Sequence, residues 1–228
     1  MVRGGGPSSY AVRLVGVGVA YYVSARLGLQ LAVIGKSVTP LWPPTGLAVV
    51  ALLGFGYGMW PAVAVAAFAV NLPISPTASA AALIAVGNTL APIAAVALLR
   101  RGGFRRDLVR LRDALLLMGV ALTSMTISAS IGTASLVLSD AVSSSRASVT
   151  WWTWWTGDAM GVLLVAPFLW SLWPLRKRMP EWSRLAEASG LYVLLGVATF
   201  LVCQVTNPIF FVVLPGLVWV AWRFQPDR

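Results

Sequence analysis

The sequence predicts an all-α fold: a polytopic transmembrane helical bundle of about eight spans, with both termini on the cytoplasmic side (N-in/C-in). Three observations carry that expectation. Of the 228 residues, 58% are hydrophobic and 11% charged, with a mean hydropathy of +0.82; soluble domains carry roughly a quarter charged residues. Apolar runs recur along the whole chain, most of them near the roughly 20 residues that a helix needs to cross a bilayer. The arginines gather in alternate connections between those runs, as the positive-inside rule requires. Eight spans of roughly 20 residues occupy about 160 residues, so residues 1–228 read as a single membrane domain with short loops.

The first run covers residues 10–34, with Arg3 and Arg13 ahead of its core. Val23-Ser24-Ala25 looks like a signal-peptidase site, so a cleaved leader is an alternative. The run continues through Leu27 to Ile34, which favours a retained helix. The second run, residues 40–57, opens on Pro40-Leu41-Trp42-Pro43-Pro44; prolines suit a first helical turn, whose amides lack partners anyway. The third, residues 59–72, opens on Trp60-Pro61. Gly54, Gly56 and Gly58 predict a tight hairpin between the two, and both are short enough for one to be re-entrant. The remaining runs are residues 78–99, 114–138 (rich in Ser and Thr), 151–173, 191–205 and 209–222. No internal repeat is visible, which weakens an inverted-repeat transporter.

The connection at residues 100–113 holds Arg100, Arg101, Arg105, Arg106, Arg110 and Arg112. That at residues 174–187 holds Arg176, Lys177, Arg178 and Arg184, and the tail holds Arg223 and Arg228. The loops after the third and seventh runs have no Lys or Arg, and the one after the fifth has only Arg146. Placing the arginine-rich loops in the cytoplasm puts both ends there and makes the chain a multi-pass protein of the cytoplasmic membrane. The net charge of +10 then faces the lipid bilayer and its anionic head groups, and nucleic acid is not expected as a partner.

The chain has no histidine and one cysteine, Cys203, inside an apolar run; such a cysteine reads as a small buried hydrophobe. Lys36 and Lys177, the only lysines, stand at loop positions, so a mid-membrane Schiff base is not available. No nucleophile with a base, no cluster with metal-ligand spacing and no phosphate-cradling glycine loop is present. An enzyme, a cofactor and a metal site are therefore not expected.

Ionisable residues inside a bilayer are costly and mark functional sites by default. The clearest is Asp158, in Trp151-Trp152-Thr153-Trp154-Trp155-Thr156-Gly157-Asp158, about two turns into the sixth span. Trp151, Trp155 and Asp158 share one helix face, and Gly157 with Gly161 suits close helix contact. The tryptophans also fit an interfacial belt. Arg26, the basic residue deep in the first run, is the expected charge partner of Asp158. The topology also brings Trp42, Pro43, Pro44, Thr45, Asn71, Trp154 and Trp155 to the outer half, with Lys36, Thr39, Gln204 and Asn207. Asn88 falls near mid-membrane. Together they suggest an outward-facing ligand pocket with aromatic walls and one carboxylate. Asn71 and Asn88 also read as interhelical hydrogen-bond glue.

Several segments resemble the MASE family, type one, the integral membrane-associated sensor domains of bacterial signalling proteins. They are Ala25-Arg26-Leu27-Gly28-Leu29, Val38-Thr39-Pro40-Leu41-Trp42-Pro43-Pro44-Thr45-Gly46-Leu47-Ala48, Asn71-Leu72, Gly87-Asn88-Thr89-Leu90 and Trp154-Trp155-Thr156-Gly157-Asp158-Ala159-Met160-Gly161 continuing to Pro167. The resemblance implies an eight-helix sensory input module. Such modules usually precede a histidine kinase, a diguanylate cyclase, a cyclic-di-GMP phosphodiesterase or a similar output domain. Here the sequence stops at Arg228, just after the last run, so either a fragment or a stand-alone module with a separate cytoplasmic partner is expected. The stimulus and the oligomeric state, a homodimer included, stay open. A small-solute or ion-coupled transporter, with Asp158 holding a cation or proton, is the competing expectation.

Overall fold

Apolar runs without polar punctuation must satisfy every backbone amide internally when lipid surrounds them, and the helix does so within one segment. The computed structural model describes residues 7–30 and 41–172. Among them there is no strand. The helices are α1 (Pro7–Leu29), α2 (Pro43–Phe55), α3 (Trp60–Asn71), α4 (Ala78–Arg101), α5 (Leu111–Leu138), α6 (Ala147–Met160) and α7 (Ala166–Leu172). A π-helical turn, Gly161–Val165, joins α6 to α7, so that Ser144–Leu172 runs as one 29-residue helix. All lie within one compact unit, Met1–Trp173.

Four of these helices are long and apolar enough to cross a membrane: Ser8–Leu29, Ala78–Arg101, Leu111–Leu138 and Ser144–Leu172. The second and third runs are helical but half-length, at 13 and 12 residues. Each covers about 20 Å or less at 1.5 Å per residue, short of a hydrocarbon core of about 30 Å. They form the expected hairpin, turning through Gly56 at φ 99° and the 3₁₀ turn Tyr57–Met59. The seventh and eighth runs, the loop at residues 174–187, and Lys36, Thr39, Cys203, Gln204 and Asn207 lie outside the described residues.

The helix starts differ from the hydropathy expectation where polar residues begin a helix. The fifth helix starts at Leu111, because Asp113 in its first turn accepts the Arg105 amide at 3.2 Å. The sixth starts at Ala147 after a 3₁₀ turn at Ser144–Arg146. Thr77 caps α4 by accepting the Ala80 amide at 3.1 Å, the ordinary role of a threonine at this position. Pro167 lacks an N–H, and in a regular α-helix its ring would collide with the carbonyl four residues back, at Leu163. The wider π turn ends beside it and relieves that collision.

Small residues fill the interfaces. Ala48, Ala67, Ala81, Ala91, Ala95 and Ala121 are fully buried and let helix backbones approach, the usual packing mode in membranes. The opposite faces are apolar and open. Val12 is 71% and Val65 68% exposed, as side chains that meet lipid rather than water.

Arginines gather at one end of the bundle and close the C-terminus of α2. The last carbonyls of a helix have no intrahelical partner. Arg100 Nη2 donates to the Leu52 carbonyl at 3.3 Å and Arg106 Nη2 to that of Leu53 at 3.2 Å. The Arg100 guanidinium also lies 4.6 Å from the centre of the Tyr57 ring. Arg13 of α1 stacks over Phe55 at 5.5 Å, and the Tyr10 hydroxyl donates to the Gly58 carbonyl at 2.8 Å. The start of α1, the α2–α3 turn and the α4–α5 connection therefore share one end. The turn carries no charge of its own and borrows cations from its neighbours, which also suit the negative end of the α2 dipole.

Candidate functional site

The site begins with a helix that starts halfway along another. The Trp42 amide donates to the Gly157 carbonyl at 2.9 Å, and Gly157 is near the middle of Ser144–Leu172. Exposed amides at a helix start are costly in a low-dielectric interior. The sequence Trp42-Pro43-Pro44-Thr45 removes them. Pro43 and Pro44, the first two helical residues, have no N–H. The Thr45 amide turns back to the Trp42 carbonyl at 3.3 Å. Glycines permit the approach: a Cβ on Gly46 would overlap the Gly161 carbonyl oxygen, and a Cβ on Gly161 would overlap that of Trp42.

This docking sets Thr45 against Asp158. The Asp158 side chain is fully buried. Its Oδ1 accepts the Thr45 hydroxyl and its Oδ2 meets the Ser128 hydroxyl, each at 2.5 Å. Ser128 Oγ is also 3.0 Å from Asn88 Oδ1 and accepts the Trp154 indole N–H at 3.1 Å. Thr45, Ser128 and Asn88 are buried, at 2%, 1% and 4% exposure. Glycines again make the room. A Cβ on Gly132 would come within 2.5 Å of the Trp154 ring, and one on Gly87 within 3.4 Å of the Ser128 Cα. The Tyr21 hydroxyl of α1 is wholly buried and neighbours Asp158, Trp42 and Asn88. Pro92 of α4 lacks the N–H that would bond the Asn88 backbone carbonyl.

Trp42, Pro44, Thr45, Asn88, Trp154 and Asp158 are thus drawn into one buried cluster at the meeting of α1, α2, α4, α5 and α6, with Pro43 half-buried at its edge. The inward stripe of α6 is Trp154 with Asp158, one turn apart, rather than the Trp151–Trp155–Asp158 face. Trp155 donates to the Leu122 carbonyl at 2.8 Å and stacks with Trp151, the rings 6.1 Å apart, while Trp152 is 58% exposed. Trp151, Trp152 and Trp155 form a separate aromatic group. Asn71 is buried but donates to the Ala67 carbonyl of its own helix at 2.8 Å, away from the cluster. Arg26 does not pair with Asp158. It sits on an exposed face of α1, and hydroxyls hold the carboxylate instead. The cluster is closed rather than an open pocket. A distinct apolar groove of about 480 Å³ lies between α1 and α3, lined by Leu14, Gly18, Val19, Pro61 and Val65 among others.

A family model for membrane-associated sensor domains, MASE1, matches residues 13–227, nearly the whole chain. The chain belongs to the MASE1 family. No curated protein and no solved structure matches it. The Trp-Pro-Pro-Thr-Gly and Trp-Trp-x-Gly-Asp-x-x-Gly stretches of this MASE1 domain are the two halves of one contact. The first starts a helix without free amides, and the second supplies the carbonyl, the close-approach glycine and the carboxylate that receive it.

Two members of the cluster escaped the sequence. Ser128 is one of many hydroxyls in a Ser- and Thr-rich run, and only the approach of α4 and α6 distinguishes it. Tyr21 sits in an apolar helix where its phenol does not stand out. The face it shares with Val17, Ala25 and Gly28, buried at helical spacing, is the local signal that points inward.

Proposed function

We propose that this domain is a sensory input module of a bacterial cytoplasmic membrane, with the cluster around Asp158 as its sensing element. It passes a change in helix packing to a cytoplasmic histidine kinase, diguanylate cyclase or similar output module. The observation that carries this reading is the convergence on one buried carboxylate. Thr45 of α2 and Ser128 of α5 bond it directly, Asn88 of α4 and Trp154 of α6 bond Ser128, and Tyr21 of α1 abuts it. Whatever changes the bonds of Asp158 changes the packing of all five. A stimulus acts only through a difference in affinity for two packings, and a carboxylate shared by five helices is where small local differences become large ones.

The test is Asp158→Asn in the domain joined to a reporter kinase. The expected outcome is a kinase locked at one output level at unchanged protein abundance. A stimulus response identical to the unaltered domain removes Asp158 from the mechanism.

A further inference from the structure

The first turns of α5 present an apolar row that begins among arginines. Leu111, Leu115, Met118 and Leu122 are all exposed, and their spacing sets them one above another on a single face of the helix. Gly119 stands beside the row with nothing within 4 Å of an added Cβ, which leaves a shallow notch along its course. Arg110 is the N-cap of α5, and Arg112 lies in its first turn. Arg112 Nη2 donates to the Gly102 carbonyl at 2.9 Å, which draws the end of α4 and its Arg101 to the same place. The two acids of this connection are already engaged. Asp107 pairs with Arg105 at 3.0 Å, and the buried Asp113 accepts the Arg105 amide. Arg101 and Arg110 are exposed and have no side-chain partner among the described residues. Val109-Arg110-Leu111-Arg112 thus alternates exposed apolar and cationic side chains. Such a segment suits the edge of a bilayer, where apolar groups enter the acyl layer and guanidinium groups stay among the phosphates. The other end of α5 differs. Leu138 is also exposed, but Ser139 and Asp140 follow it and no arginine stands nearer in sequence than Arg146.

We propose that this face binds an anionic phospholipid, with its phosphate at Arg101, Arg110 and Arg112 and one acyl chain along the row that starts at Leu111. Guanidinium groups offer phosphate oxygens paired, charge-assisted donors. A soluble phosphate would use the arginines and leave the apolar row without a role. A zwitterionic lipid would use the row, but its own ammonium offsets the charge that the arginines meet. An anionic phospholipid uses both. The site is separate from the Asp158 cluster, so its loss would leave the sensory reading standing.

The full chain in phosphatidylcholine nanodiscs tests this, with Cys203→Ser as background and a bimane label on Leu115→Cys. A minor share of the lipid carries brominated acyl chains, either as phosphatidylglycerol or as phosphatidylcholine. Brominated phosphatidylglycerol is expected to quench the label more strongly than brominated phosphatidylcholine, and raised salt should weaken that preference. Arg101→Gln and Arg110→Gln should each lower the preference about five-fold, the worth of one arginine near an anionic surface. A label on Leu138→Cys, at the other end of the helix, should be quenched alike by both lipids, and it reports that each variant is inserted. Equal quenching of position 115 by the two lipids overturns the assignment, as does a label there that neither lipid reaches. A preference that survives in the double variant Arg101→Gln/Arg110→Gln overturns it too. So does loss of the preference to glycerol phosphate at an ionic strength where chloride has no effect, which makes the site one for a soluble phosphate.

Discussion

The Trp42 amide donates to the Gly157 carbonyl at 2.9 Å, and the Trp42 carbonyl lies where a side chain on Gly161 would begin. This two-sided contact fixes where α2 starts and places Thr45 on Asp158. Gly161→Ala and Gly46→Ala are therefore expected to destabilise the domain by about 1–3 kcal/mol, the range for overpacking a close contact. Gly16→Ala and Gly119→Ala, with nothing within 4 Å of an added Cβ, are expected to be neutral or stabilising, since alanine suits a helix interior better. Thermal unfolding in detergent, followed by loss of the monodisperse peak, measures both pairs. Equal midpoints for all four would remove the close contact from the account.

Two serines one turn apart on α5 differ in their bonds. Ser128 reaches Asp158, Asn88 and Trp154, whereas the buried Ser124 hydroxyl has no partner. Ser128→Ala should cost about 1–3 kcal/mol, because it orphans buried polar groups. Ser124→Ala should be neutral or stabilising, since it removes a hydroxyl that gains nothing from burial. The same unfolding assay separates them, and a larger loss for Ser124→Ala would contradict the network.

Trp154→Phe removes the N–H to Ser128 and withdraws the outer part of the indole from the space that Gly132 leaves. A loss of about 1–3 kcal/mol is expected, one hydrogen bond together with the emptied space. Gly132→Ala fills that space and should displace the indole, which shifts the tryptophan emission. If Gly132→Ala left emission and stability unaltered, the ring would not occupy that notch.

Arg100 and Arg106 close the last carbonyls of α2 from the α4–α5 side. Arg100→Ala is expected to loosen the α2–α3 turn, read as faster amide exchange at residues 52–59. The charge distribution also predicts the side. With Cys203→Ser as background, Val109→Cys, at a position 83% exposed, should resist an impermeant maleimide applied outside intact cells. Ser145→Cys, in the exposed connection between α5 and α6, should react. The reverse pattern would invert the topology.

Hydropathy and the placing of arginines are local properties, so the sequence alone determined that the chain is helical, belongs in a membrane and has a run that begins where α4 begins, at Ala78. It also singled out Asp158, since a lone carboxylate in an apolar run is visible without a structure. The family followed from two short motifs for the same reason. What holds Asp158 was decided only by tertiary structure. Arg26 is the nearest countercharge that a linear reading offers, yet it points away from the bundle, and two hydroxyls from helices 113 and 30 residues distant take its place. Hydroxyls are common in membrane helices, and nothing along the chain ranks Ser128 above its neighbours. Close approach ranks them, because glycines at 46, 87, 132 and 161 bring specific backbones and rings together. Asn71 shows the converse: polar and buried, it satisfies itself on its own helix and stays out of the cluster. Which of several equivalent polar groups meet is a question of distance across the bundle, and distance is not written in the order of residues.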